Sequence, residues 1–151
     1  MKSPRIYIDT SAIGGYFDKE FIEDTRKFFS LIKQGKYILL VSTVVFEELK
    51  EAPVQVRELL SSLPSKYVEE VAITPDMFQL RDAYLEANIV SKKYRDDALH
   101  VAIATTTRAE AIVSWNFKHL VKFEKIKGYN VVNLSKGYGM VTIITPKSLI
   151  S

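Results

Sequence analysis

Four short stretches of this 151-residue chain gather side chains able to do chemistry. Asp9 ends the apolar run Ile6-Tyr7-Ile8 and is followed by the hydroxyls of Thr10 and Ser11. A carboxylate at the end of a buried strand is costly unless something satisfies it, and capping the next turn is the simplest way. Glu47 and Glu48 follow a second apolar run. On a helix Glu48 shares its face with Val44, Val45 and Ala52, whereas Glu47 lies beside Thr43, Lys50 and Glu51. Glu48 is therefore the acid that needs a partner, and Glu47 reads as solvated surface. Asp96 and Asp97 open the apolar helix Ala98–Ala104. One Asp suffices to cap, so Asp96 is assigned the cap and Asp97 the site. Ser114-Trp115-Asn116 adds a hydroxyl and an amide after a third apolar run, although both residue types are also common in turns.

Asp9, Glu48 and Asp97 with Ser114 and Asn116 make three acids and two neutral oxygen donors. With no cysteine and only two histidines in the chain, that set suits the hard ions Mg²⁺ or Mn²⁺. Carboxylates around such ions are the usual equipment for hydrolysing a phosphodiester.

Several elements must bring these residues together. Strands are expected at Arg5–Asp9, Tyr37–Val41, Ala111–Trp115, Asn130–Leu134 and Val141–Thr145. Helices are expected at Glu20–Gln34, Val44–Glu51, Val54–Leu63, from Thr74-Pro75 to about Val90, and at Asp96–Arg108. Continuous apolar strands alternating with helices predict an α/β fold, a parallel sheet of about five strands covered on both faces. In such sheets function gathers at the carboxyl ends of the strands, near a reversal in strand order.

Composition sets the outer bounds. With 47% apolar and 26% charged residues, the chain reads as one globular domain over residues 1–151. No apolar stretch approaches the ~20 residues of a membrane span and the start has no signal-peptide core, so a cytoplasmic protein is expected. The net charge of +3 permits a polyanionic partner without demanding one. Between Ser91 and Lys127, Lys92, Lys93, Arg95, Arg108, Lys118, Lys122, Lys125 and Lys127 face only Asp96, Asp97, Glu110 and Glu124, a net of +4. Solvated helix faces produce such excesses too. Even so, Lys92, Lys93 and Arg95 stand just before Asp97, where they can hold the phosphates of a polyanion. Tyr94 and Trp115 offer rings for stacking, though Trp115 also suits a core.

Ile6-Tyr-Ile-Asp-Thr-Ser-Ala-Ile13, Val41-Ser-Thr-Val-Val-Phe-Glu-Glu-Leu49, Asp97-Ala-Leu-His-Val-Ala-Ile-Ala104 and Ala111-Ile-Val-Ser-Trp-Asn-Phe117 together resemble the PIN-domain signature in order and approximate spacing. The first and third of these motifs are fairly specific; the others are weaker. The resemblance implies a three-layer α/β/α PIN-like domain with Asp9, Glu48 and Asp97 as metal ligands. The family commonly places a hydroxyl and an Asp after the following strand; here Ser114 and Asn116 stand there, so the fourth acid is missing. The implied activity is that of a Mg²⁺- or Mn²⁺-dependent endoribonuclease, often the toxin of a VapC-type toxin–antitoxin pair, homodimeric and silenced by an antitoxin. Ser114 and Asn116 would then support a water or a weaker second ion.

Two other readings compete. A degenerate PIN domain that binds RNA or a protein without cutting is favoured by Asn116. A phosphatase with Asp9 as nucleophile is disfavoured, because Ser11 stands where such enzymes commonly keep an acid–base Asp. His100 lies one turn from Asp97, close enough to orient it by a hydrogen bond, but neither His100 nor His119 is placed among the site residues.

Overall fold

In a computed structural model, which describes residues 2–150, five parallel strands form one sheet. These are β1 (Arg5–Ile8), β2 (Ile38–Ser42), β3 (Val68–Val71), β4 (Ala111–Val113) and β5 (Thr142–Ile144). Their spatial order is β3-β2-β1-β4-β5. Register aligns Ile6 with Leu39 and Ala111, and Tyr7 with Leu40 and Ile112. Because side chains alternate along a strand, the first set faces one layer and the second set the other.

Among the described residues, seven α-helices supply those layers. Helices α1 (Thr10–Gly14), α2 (Ile22–Lys33), α3 (Thr43–Leu49) and α4 (Val54–Ser61) pack Ile13, Phe28, Phe29, Val45, Leu49 and Leu59 against Ile6, Ile8, Leu39, Val41, Ala111 and Val113. Helices α5 (Pro75–Glu86), α6 (Arg95–Thr106) and α7 (Phe123–Ser135) cover Tyr7, Leu40, Ile112 and Ile143. Each fully buried large apolar side chain contributes about 1.5–3 kcal/mol relative to an exposed one. Helix α6 is buried from Ala98 through Thr105, which explains a sequence that is apolar nearly all round. The chain is thus a three-layer α/β/α domain, and among the described residues no helix is long and apolar enough to cross a membrane.

The sheet has five strands, but not the five expected. Asn130–Leu134 lies inside α7. Asn130 and Asn133 are buried one helical turn apart. Asn130 Nδ2 donates to the Val141 carbonyl at 3.0 Å, and Asn133 Nδ2 donates to Thr105 Oγ1 at 3.2 Å. Those amides sit on the helix's inward face, so an apolar count hides its period. The fifth strand is instead β3, an edge strand paired only with β2, whose Glu69 and Glu70 are exposed. Its Val-Glu-Glu-Val run has two consecutive acids and so lacks the apolar continuity of the interior strands. Helix α5 ends at Glu86 rather than near Val90, because the chain turns through Asn88 with φ +58°.

Strand order reverses at β1. The chain first builds outward through β2 and β3, then returns to the other side of β1 for β4 and β5. The carboxyl ends of β1 and β4 therefore flank a crevice at the switch point.

Candidate active site

Asp9 leaves β1 at that crevice. It caps α1, its Oδ1 accepting from the Ala12 N–H at 3.1 Å. The Ser11 hydroxyl donates to Oδ1 at 2.8 Å with Oδ2 at 3.0 Å, and Ser114, reaching across from the end of β4, donates to Oδ2 at 2.6 Å. Ser114 Oγ in turn accepts from the Asn116 N–H at 2.9 Å, and Ser11 Oγ accepts from the Trp115 N–H at 3.0 Å. Asp9 is only 4% exposed. Burial pushes its pKa above the usual carboxylate value, against the lowering effects of His100, Ser114, Ser11 and the Ala12 amide.

Asp97 sits in the first turn of α6, half-buried, and its pKa is also raised. Burial is the main cause and the charge of Asp9 adds to it, while His100, His119 and a hydrogen bond from the Asn116 side chain act the other way. Asp96 is exposed in the same turn. It makes no cap hydrogen bond, and Tyr94 occupies the N-cap position, so the capping role expected of Asp96 is not filled.

Glu48 and Glu47 part company on α3. Glu47 pairs with Lys50 at 3.0 Å on the surface, its side chain 61% exposed. Glu48, 37% exposed, accepts from His100 Nε2 at 2.9 Å. Burial would raise the Glu48 pKa, but the His100 hydrogen bond and charge bring it below the ordinary value, helped by the nearby Thr10 hydroxyl.

Asn116 holds the β4 exit loop. Its Oδ1 accepts from the backbone N–H groups of Lys118 at 3.2 Å and His119 at 3.0 Å. Those two donors fix which end of the amide is the oxygen and which the NH₂. The oxygen expected to support a water or second ion is thus engaged within its own loop.

Sequence reasoning left out His100. It is buried, with Nδ1 2.6 Å from the Tyr7 hydroxyl, which lies 2.8 Å from Ser42 Oγ. It touches Glu48 rather than Asp97, yet the charges of all three acids raise its pKa against the opposing effect of burial. A histidine in the otherwise apolar run Ala98–Ala104 was the available signal. His119 stacks on Tyr94 with ring centroids 3.7 Å apart. Burial and the lysines 118, 122 and 125 hold its pKa below the usual imidazole value, although Asp97 pulls it upward.

The oxygen donors suit a hard divalent cation. Asp9 and Asp97 repel one another and are raised by burial, a strain that a bound cation relieves. Among the described residues, two buried side-chain polar atoms lack a hydrogen-bond partner, Thr10 Oγ1 and His119 Nδ1. One belongs to the neighbourhood of Glu48 and the other to that of Asp97. No group of three or more Asp, Glu or His among the described residues is already arranged to hold a metal. The residues that would hold such an ion are Asp9 and Asp97, while Glu48 is engaged by His100.

A family model described as the PIN domain matches residues 5–118. No curated protein matches the chain. PIN domains are in general nucleases that use divalent metals. Since the match covers more than half of the chain and takes in every position from Asp9 to Asn116, the chain belongs to the PIN domain family.

Proposed function

We propose that the protein is a Mg²⁺- or Mn²⁺-dependent endoribonuclease, with Asp9 and Asp97 as the principal metal ligands and Glu48 as the third acid. What supports this reading is a buried carboxylate, Asp9, at the end of β1 beside the switch-point crevice, reached by Ser114 from the end of β4, together with the rise that its charge adds to the Asp97 pKa. A bound divalent ion would supply Lewis-acid chemistry, acidifying a water and offsetting phosphate charge. Ser11 and Ser114 hold the Asp9 carboxylate in one orientation, and the Asn116 side chain favours the ionised form of Asp97. His100 positions Glu48 at the rim, where it can join the ion or take up a proton from the attacking water. Lys92, Lys93 and Arg95 are exposed just before Asp97, on the side from which a polyanion would approach.

The resemblance further supports a toxin of the VapC type, acting in the cytoplasm as a homodimer under the control of an antitoxin. Cleavage of single-stranded RNA by the purified protein in Mg²⁺ or Mn²⁺, abolished by chelator and by Asp9→Asn, is the expected result. Equal cleavage by Asp9→Asn would sink the assignment.

A second reading has its own support. The engaged Asn116 oxygen, and the lack among the described residues of a preassembled acidic cluster, suit a domain that binds RNA or a protein without cutting. RNA binding without turnover across a Mg²⁺ and Mn²⁺ titration would favour it.

A further inference from the structure

The loop leaving β4 carries site residues on one side and aromatic rings on the other. Trp115 Nε1 donates to Thr25 Oγ1 at 2.9 Å, and its indole stacks on Phe21 with centroids 4.2 Å apart and planes 16° apart. Phe117 stands 6.2 Å from each of these rings, tilted by 41° and 50°, and is 49% exposed. Gly15 makes room for the arrangement. A Cβ there would lie 2.6 Å from Trp115 Nε1 and 2.7 Å from Thr25 Oγ1, so a larger residue must displace the indole. The same loop is tied to the acids. The Trp115 N–H donates to the Ser11 hydroxyl that holds Asp9, and the N–H of Asn116, between the two aromatics, donates to the Ser114 hydroxyl that also holds Asp9.

We infer that Phe117, backed by the fixed Trp115–Phe21 stack, is a ledge on which one unpaired RNA base lies beside the acidic crevice. The inference rests on the ribonuclease reading and adds to it the residue that receives a base. Every base offers a π-face, but in a duplex both faces are covered by neighbours, so a lone ledge selects unpaired nucleotides. A ring supported from beneath loses little freedom on stacking. Lys118, exposed and next in sequence, stands where the adjoining phosphate can be held. An isolated exposed Phe would need no explanation. Here the exposed ring leans against the paired Trp115 and Phe21 rings and is one residue from the N–H that donates to the Ser114 hydroxyl on Asp9.

Trp115 is the sole tryptophan, so its emission reports on the ledge directly. The full chain, with Ca²⁺ in place of Mg²⁺ to limit turnover, is titrated with a labelled single-stranded oligoribonucleotide of about ten nucleotides. The same strand in a blunt duplex is titrated in parallel. The single strand should quench Trp115 and bind more tightly than the duplex. Phe117→Ala and Phe117→Leu should each weaken single-strand binding about tenfold, whereas Phe117→Tyr stays within about twofold. The Leu variant separates the π-face from mere apolar area, and unchanged thermal unfolding shows that the exposed position leaves the fold intact. Binding by Phe117→Leu at the parent affinity, or equal quenching by duplex, overturns the ledge alone. A parent protein that binds neither RNA removes the ribonuclease reading as well.

Discussion

His100 Nε2 lies 2.9 Å from Glu48 Oε1 while its Nδ1 lies 2.6 Å from the Tyr7 hydroxyl, so one buried ring joins the sheet interior to the rim of the acidic crevice. Tyr7→Phe keeps the ring but strips Ser42 and His100 of a buried partner. It should cost about 1–2 kcal/mol, measured by denaturant unfolding, with cleavage falling less. His100→Ala also opens a cavity; it should cost about 2–4 kcal/mol and lower cleavage, because Glu48 loses its anchor. Unchanged cleavage by His100→Ala would show that Glu48 needs no positioning. The pH dependence has a defined sign. The raised pKa of His100 contributes stability below 6.5, lost as pH rises through its folded value; the lowered pKa of Glu48 contributes above 4.5, lost as pH falls through its own. The pair is therefore strongest between those two limits.

Asp9 and Asp97 behave in the opposite sense. Their pKa values are raised, so the ion-free protein gains stability as pH falls through those folded values and loses it as pH rises. Asp9→Asn should accordingly stabilise the ion-free protein while reducing cleavage by about a hundredfold or more. Mn²⁺ should raise the parent's melting temperature, more at high pH than at low, and leave that of Asp9→Asn nearly unmoved. Calorimetric melting with and without Mn²⁺ at two pH values is the check; an equal Mn²⁺ effect on both proteins would place the ion elsewhere.

Glu48 and Glu47 offer a comparison within one helical turn. Glu48→Gln keeps a hydrogen-bond acceptor for His100 but removes the charge, and should reduce cleavage by about ten- to a hundredfold. Glu47→Gln gives up only an exposed pair with Lys50, worth about 0–1 kcal/mol, and should leave cleavage unchanged. Side-by-side rates in the reverse order would refute the assignment of faces.

The readable parts of this sequence were those in which burial and chemistry reinforce one another. Arg5–Ile8, Ile38–Ser42 and Ala111–Val113 are interior strands, apolar on both faces, so their runs of Ile, Leu and Val announce them. Glu48 could be told from Glu47 because helical spacing sets one beside Val44 and Val45. Two errors share a cause. The helix over 123–135 turns Asn130 and Asn133 inward, and the edge strand over 68–71 carries two exposed acids, so polarity ceased to track orientation in both. At the site, residue types marked the acids, but the partners of His100 and of the Asn116 amide arise from tertiary packing between distant segments. Phe117 gave no signal as a single Phe; its meaning comes from Phe21 and Gly15, about a hundred residues earlier.

In the proposed nuclease, Asn116 sets how many ions the crevice can hold. Its oxygen accepts from the N–H groups of Lys118 and His119, and a neutral amide brings no negative charge to the acids. Two dications at the ~4 Å separation of two-metal sites repel strongly and need carboxylates to offset them. Asp9, Glu48 and Asp97 supply about three negative charges at most, and the His100 contact draws on that of Glu48. One ion in the free protein is the expected stoichiometry, with any second arriving alongside substrate phosphate. Asn116→Asp can still accept from the Lys118 and His119 amides through one oxygen, so the loop should keep its shape. Its second oxygen then faces Asp97 without a proton to offer, which repels Asp97 until a cation intervenes. The variant should bind a second Mn²⁺ about ten- to a hundredfold more tightly than the parent in a calorimetric titration without RNA. Where that ion limits the rate, cleavage at low metal concentration should rise. Two equally tight ions in the parent would mean that the missing charge at 116 is immaterial.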